Sequence, residues 1–275
     1  MINQYQTEIN NYINKYIINN QKSNTLQDLL KYTLDNGKRL RPMISLEIYK
    51  IISKDNLTDQ IILSSLAIEL LHNASLILDD MPCMDNDKYR RGKETIHHKY
   101  GLCVANFLSH HLIYQAFQYY LESNNSKLIS IISQYTTDIS IGQYYDLYQD
   151  SNNDVDTLID KISMKTYPLF AIAFLSGYLL GGGDVNKIPI IKNIAKSFSI
   201  SFQICDDLED LISDSSKKIS DGTNYVMLLG IPGAIKLHTK HIIYFKNTMK
   251  DLNLYSSLFI ELSNYLDNKI EKYIK

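Results

Sequence analysis

Residues 61–87 read IILSSLAIELLHNASLILDDMPCMDND. From Ile61 to Leu78 the run is apolar on most helical faces and lacks the alternation of a half-buried strand. It predicts a buried central helix, with Asp79, Asp80, Asp85 and Asp87 gathered where that helix ends. Carboxylates at the end of a buried helix are costly unless they are paired or bound to a metal. Pro82 disturbs the helix there and lets Asp85 swing back towards Asp79. Hard oxygen ligands of this kind suit Mg²⁺, which keeps several waters and binds substrate phosphates.

Helical periodicity continues on both sides. Ile9, Ile13, Tyr16 and Ile17 fall at i, i+4, i+7 and i+8, one apolar stripe. Comparable segments run from about Val104 to Leu121, Ile129 to Tyr148, Leu158 to Leu180 and Ile188 to Ile212. The tail from Ala234 to Ile274 predicts two or three shorter amphipathic helices. Breaks fall at Ser53–Asp59, Asn124–Ser126, Ser151–Asp154, Gly181–Asp184 and Ser213–Thr223. With only 11 Gly and 5 Pro in 275 residues, long uninterrupted elements are allowed. No Pro- or Ser-rich linker and no repeat of fixed period divides the chain. The expectation is all-α, one domain of roughly ten helices over residues 1–275 rather than two domains.

A second acidic cluster, Asp206-Asp207-Leu-Glu-Asp210, ends the Ile188–Ile212 segment. Asp206 and Asp210 are i and i+4 and share a helix face, where like charges repel unless a cation sits between them. Either cluster alone reads equally well as a solvated helix end. Two of them, each closing a long apolar helix, predict a site for divalent ions and a polyanion. Basic runs complement them: Gly37-Lys38-Arg39-Leu40-Arg41-Pro42 between two helices, and Arg90-Arg91-Gly92-Lys93 just after the first cluster. Arg and Lys beside a helix N-terminus form a natural phosphate site. His72 lies seven residues before Asp79, on nearly the same face, and is assigned to phosphate contact. Adjacent pairs His97-His98 and His110-His111 point in different directions and argue against zinc. Cys205 in its apolar run reads as core.

This ordered set resembles the trans-isoprenyl diphosphate synthases, the farnesyl and geranylgeranyl diphosphate synthase family. The motifs are Gly37 to Pro42, Asp79-Asp80-x4-Asp85 with Arg90-Arg91-Gly92, Gly142-Gln143, Lys165-Thr166, and Phe202-Gln203 before Asp206-Asp207-x2-Asp210. Residues 74–85 look most like the bacterial carotenoid-pathway geranylgeranyl diphosphate synthases. The resemblance implies a polyprenyl synthetase domain, a helical bundle around a central cavity, working as a homodimer. It implies Mg²⁺ on Asp79, Asp85 and Asp206, with Asp80 and Asp210 supporting. Arg90, Lys165 and Gln203 would bind the allylic diphosphate, and the backbone carbonyl near Thr166 would face the allylic cation. Lys38, Arg41, His72 and Arg91 would hold isopentenyl diphosphate. The implied catalytic set is Asp79, Asp85, Arg90, Lys165 and Asp206.

Departures from the family pattern accompany it. Leu78 stands where many relatives have His, and Ser109-His110 where Gly-Asp is common. Gly222 replaces a lysine that assists the leaving diphosphate, unless Lys217 or Lys218 substitutes. Tyr167-Pro168 is unusual, and Pro168 predicts a kink. Small Ala74 and Ser75, one turn before Asp79, favour geranylgeranyl over farnesyl diphosphate as product; Phe107 is a candidate floor of the product tunnel. A terpene cyclase has no need of Lys38, Arg41 and Arg91. A non-catalytic partner subunit, the other class of reading, tends to lose one aspartate motif, and this chain keeps both.

A net charge of −2 gives no general affinity for nucleic acid or anionic membrane. Cys83, Cys103 and Cys205 are few and without metal-ligand spacing, which points to a reducing, cytoplasmic compartment with no disulfide framework. Met1–Asn20 is polar, unlike a signal peptide, and no stretch reads as a membrane span.

Overall fold

The computed structural model describes residues 1–19, 21–147, 155–213 and 224–273. The apolar run forms a helix over Asp59–Asp79, and every residue from Ile61 to Leu71 on it is buried. Burial on all faces, rather than along one stripe, marks the centre of a helical layer. Beyond Ala74 only Ile77 is still buried, so the helix leaves the core about one turn before the first aspartates. By length and composition alone it could cross a membrane, but 78% of its apolar window is packed inside the protein, as in a core helix.

Among the described residues the elements are α1 (Ile2–Tyr12), continued by a π-helical stretch Ile13–Ile18, α2 (Asn24–Leu34), α3 (Leu40–Ser53), α4 (Asp59–Asp79), a hairpin of β1 (Tyr89–Arg90) and β2 (Lys93–Glu94), α5 (Ile96–Tyr100) and α6 (Leu102–Leu121). There follow α7 (Ser126–Leu147), α8 (Val155–Leu180), a 3₁₀ turn at Val185–Lys187, α9 (Ile188–Ser213), α10 (Tyr225–Asp251) and α11 (Ser257–Glu271). The all-α expectation holds, and α6 to α9 start within three residues of their predicted positions. The tail differs: α10 begins at Tyr225 and is broken at Gly230, whose φ of 67° no helix contains. The helical run beyond that break resumes at Ile231, three residues before the expected start at Ala234.

The chain divides into two compact units. One holds residues 2–129 and 176–183; the other holds Met1, 130–175 and 184–275. Two dividing points fall inside α7 and α8, and a third lies between Gly183 and Asp184, in the predicted break at Gly181–Asp184. The two inside helices carry no mark in loop composition. In the first unit α4 packs on α3 and α6, and α1 on α3. Ile9, Ile13 and Ile17 of the predicted stripe are buried there.

In the second unit α9 packs on α10 and α11. Its core is aromatic. The Phe245 ring is fully buried and lies 5.1 to 6.3 Å from those of Phe174, Phe198, Phe259 and Tyr255. Aromatic pairs at this spacing add to simple area burial. Phe245→Ala removes the shared ring and should cost about 3–5 kcal/mol of stability, read as a lower urea midpoint at unchanged slope.

Candidate active site

In the first unit, Pro82 disfavours helix at the residue before it, and α4 stops at Asp79. The chain turns back on itself, and the Asp85 N–H donates to the Asp79 carbonyl at 2.9 Å. The expected approach of Asp85 to Asp79 is therefore present in the backbone. Asp79 is half-buried and Asp85 exposed. Asp80 points inward and is 5% exposed; Arg90 Nε donates to its Oδ1 at 2.6 Å. Burial pushes the Asp80 carboxyl up to about 6, against the pull of Arg90. Asp80 and Arg90, assigned separately to metal and substrate, are thus an ion pair in this structure.

Arg90 and Arg91 owe their placement to a hairpin that the sequence reading did not anticipate. Tyr89 pairs with Glu94 and Arg90 with Lys93, leaving Arg91-Gly92 as a two-residue turn. Both turn residues have positive φ, 52° and 77°. That is the I′ pattern, which a glycine at the second position favours. The Arg-Gly dipeptide was the available signal. A cleft lined by Asn73, Asp80, Arg90 and Arg91 lies beside it.

The Gly37–Pro42 loop is fixed from beneath. Arg39 has left-handed backbone (φ 56°) and caps α3, with its side chain turned into the core. Its Nη1 meets Glu69 Oε1 at 2.6 Å, its Nε donates to Asn10 Oδ1 at 2.9 Å, and its Nη2 donates to the Leu34 carbonyl. Asn73 donates to the same Glu69 oxygen at 3.2 Å. Glu69 and Arg39 were missed as a pair; a lone carboxylate inside an apolar helix was the sign that a cation must meet it. Lys38 and Arg91 are exposed, and Arg41 is half-buried. Burial, then the positive charges of Arg41, Arg91, Arg90 and Arg39, hold His72 well below the usual imidazole range. In the ligand-free protein this favours the neutral imidazole, which carries one N–H. Removing one member of the buried pair strands the other. Arg39→Met should cost about 3–5 kcal/mol, and the joint variant Arg39→Met, Glu69→Leu should recover most of it in a denaturant titration.

In the second unit the Lys165-Thr166, Gln203 and Asp206–Asp210 motifs meet. Thr166 Oγ1 donates to Gln203 Oε1 at 2.7 Å, and Gln203 Nε2 donates to Asp207 Oδ1 at 2.8 Å. Asp207 is buried, and its Oδ2 accepts from the Tyr225 N–H at 2.8 Å. Burial pushes its carboxyl up to about 6 despite these bonds. Lys165 and Asp206 are half-buried and Asp210 is exposed. Lys269 of α11 pairs with Glu209 at 2.7 Å and lies 3.5 Å from Asp206. Asp207 belongs to the acidic motif, but helical spacing shows only that it lies off the Asp206–Asp210 face, and no motif includes Lys269. Gly142 lets α7 close on α8: a Cβ there would lie 2.8 Å from the Met164 carbonyl oxygen. That carbonyl is the one whose usual partner, the N–H four residues on, is missing at Pro168.

Among the described residues no three His, Cys, Asp or Glu side chains converge as a metal cage. The donor sets fit Mg²⁺ none the less, since it uses one or two carboxylates together with waters and phosphate oxygens. Cys205 is core, its thiol pushed up to about 12 by burial, and Cys83 and Cys103 are free and exposed. Phe107 is 53% exposed and stacks on His111. Ala74 is buried, and Ser75 is the more accessible of the two small residues. Gly222, Lys217 and Lys218 lie outside the described residues.

The family model described as Polyprenyl synthetase matches residues 23–224. Geranylgeranyl pyrophosphate synthase 10, mitochondrial, of Arabidopsis thaliana is 32% identical over 70% of this chain and 59% of its own length. The trans-prenyltransferase of African swine fever virus (isolate Pig/Kenya/KEN-50/1950) is 27% identical over 94% of this chain and 80% of its own. The chain spans less than two thirds of the plant relative. The crystal structure of a geranyltranstransferase from Thermotoga maritima superposes with a TM-score of 0.86 at 25% identity, covering 98% of both chains.

Proposed function

The chain belongs to the polyprenyl synthetase family, and from that premise we propose that it is a short-chain trans-prenyltransferase. It joins isopentenyl diphosphate to dimethylallyl, geranyl or farnesyl diphosphate, with geranylgeranyl diphosphate as the end product. The observation that carries this reading is the cationic cluster around His72, set beside the folded-back aspartates at the exit of an apolar helix. A diphosphate is the ligand such a cluster favours.

Lys38, Arg41, His72 and Arg91 hold isopentenyl diphosphate. Arg41 and Arg91 supply charge, and neutral His72 supplies a directed donor. Arg90, Lys165, Thr166 and Gln203 bind the allylic diphosphate, where Lys165 and Arg90 stabilise charge as it accumulates on the leaving group. Fixing both substrates makes the condensation effectively intramolecular. Magnesium, which Asp79, Asp80, Asp85, Asp206 and Asp210 would hold, supplies further neutralisation of diphosphate charge. Apolar side chains keep water from the reacting carbon.

We place the protein in the cytoplasm as a homodimer. The exposed thiols Cys83 and Cys103 favour a reducing compartment. One face of α6 favours self-association: Phe107, Tyr114 and Leu121 repeat every seven residues and are each more than half exposed. Changing Phe107 and Tyr114 together to Glu should raise the dimer dissociation constant roughly a thousandfold, at about 2 kcal/mol for each aromatic anchor, in sedimentation experiments.

Incubation with Mg²⁺, isopentenyl diphosphate and each allylic primer should yield a C20 product. Ser75→Phe should shorten it to C15 at similar turnover. A C15 end point in the wild type would make it a farnesyl diphosphate synthase. No elongation by folded protein would leave a partner subunit as the reading.

A further inference from the structure

The second unit holds a buried carboxylate that the proposed chemistry does not use. Asp207 adjoins Asp206 but is turned about 100° round α9, away from the Asp206–Asp210 face. It is 4% exposed, and both of its oxygens are engaged. One accepts from Gln203 Nε2 at 2.8 Å, one turn earlier on the same helix. The other accepts from the Tyr225 N–H at 2.8 Å, where α10 begins. Asn224 caps the same helix start, its side chain accepting from the Met227 N–H at 2.7 Å.

These contacts decide the direction of an amide. An ionised carboxylate only accepts, so Asp207 requires the NH₂ end of Gln203 to face it. The amide oxygen must then face Thr166, whose hydroxyl donates to it at 2.7 Å. Thr166 cannot set this orientation, because a hydroxyl can donate or accept equally well. Among the described contacts of Gln203, the one with Asp207 distinguishes its two ends.

We infer that Asp207 is a positioning residue: it fixes the Gln203 amide so that Gln203 and Thr166 act as one rigid surface for the allylic diphosphate, and it ties that surface to the start of α10. The inference rests on the allylic-site reading of Thr166 and Gln203 given above. Both oxygens of Asp207 are engaged by protein donors.

Asp207→Asn keeps the shape but offers one acceptor and one donor to two donors. The Tyr225 N–H takes the acceptor, and Gln203 turns over. Thr166 then accepts instead of donating, so the fold survives with the amide reversed. The Michaelis constant for the allylic diphosphate should rise roughly tenfold, as for loss of one hydrogen bond to a charged group. That for isopentenyl diphosphate should change less than twofold. In a Gln203→Leu background the same substitution should add almost nothing, because there is no amide left to orient. Equal rises for both substrates, or an undiminished effect in the Gln203→Leu background, would overturn the inference and leave Asp207 a purely structural anchor.

A second readout separates this inference from the functional reading. The Gln203 side-chain amide signal, assigned by its disappearance in Gln203→Leu, should shift in the NMR spectrum of Asp207→Asn. If wild-type protein elongates no primer, the prenyltransferase reading fails, and an unmoved Gln203 signal would sink the positioning role as well. A shifted signal in that case upholds the orientation of Gln203 by Asp207 independently of the reaction.

Discussion

A carboxylate moved from water into a protein interior must find donors or give up its charge. Both aspartate motifs are built around that constraint. In each, the second aspartate is the buried one: Asp80 at 5% and Asp207 at 4% exposure. In each, burial raises the carboxyl to about 6, and named donors keep it useful as an acceptor near neutral pH. Arg90 meets Asp80, while Gln203 and the Tyr225 N–H meet Asp207. The flanking aspartates, Asp79 and Asp85 in one motif, Asp206 and Asp210 in the other, are half-buried or exposed. An Asp-Asp pair on a helix thus divides its work by geometry. Successive residues point about 100° apart, so one carboxylate of each pair packs inward on its donors while its neighbour stays accessible.

The same constraint explains the basic side of the first unit. A loop carrying Lys38 and Arg41 is a poor phosphate site if it moves. Here Arg39, between them, leaves the surface and anchors the loop on Glu69 inside α4. Buried pairs of this kind add little net stability over an apolar pair. What Arg39–Glu69 supplies is a fixed register between the loop and the helix that bears His72. Burial first, and the positive crowd second, hold His72 below the usual imidazole range. A neutral donor adds a directed contact without further repulsion among Arg41, Arg90 and Arg91.

Much of this was legible in residue order. The α4 run announced itself through length and apolarity on every face, and Pro82 marked where its aspartates fold back. Spacing also placed α6 to α9 closely, because long amphipathic or apolar stretches with few glycines have one stable solution. Less legible were features that depend on what a side chain meets. Glu69 in an apolar run demanded a cation, but nothing named Arg39. Arg91-Gly92 carried the turn chemistry of a hairpin that a reading focused on charge passed over. Gly230 broke α10 where the pattern showed only a weak start. The division into two units is marked only by the break at Gly181–Asp184, because its other boundaries run through α7 and α8 instead of a linker.

Tyr167-Pro168 shows how a departure from pattern can be absorbed. Proline at 168 removes the N–H that the Met164 carbonyl would otherwise accept, within half a turn of Lys165-Thr166. An unpartnered carbonyl in a buried helix is costly unless another group approaches it. Gly142 lets α7 come close there: its Cα lies over the Met164–Lys165 peptide, where any side chain would collide. Tyr167 turns to Tyr135 on α7, their hydroxyls 2.8 Å apart, and fixes the same helix pair a few residues along. Gly142 and Tyr167 thus both bring α7 against the stretch of α8 that Pro168 interrupts. Thr166, on the same stretch, donates its hydroxyl to Gln203.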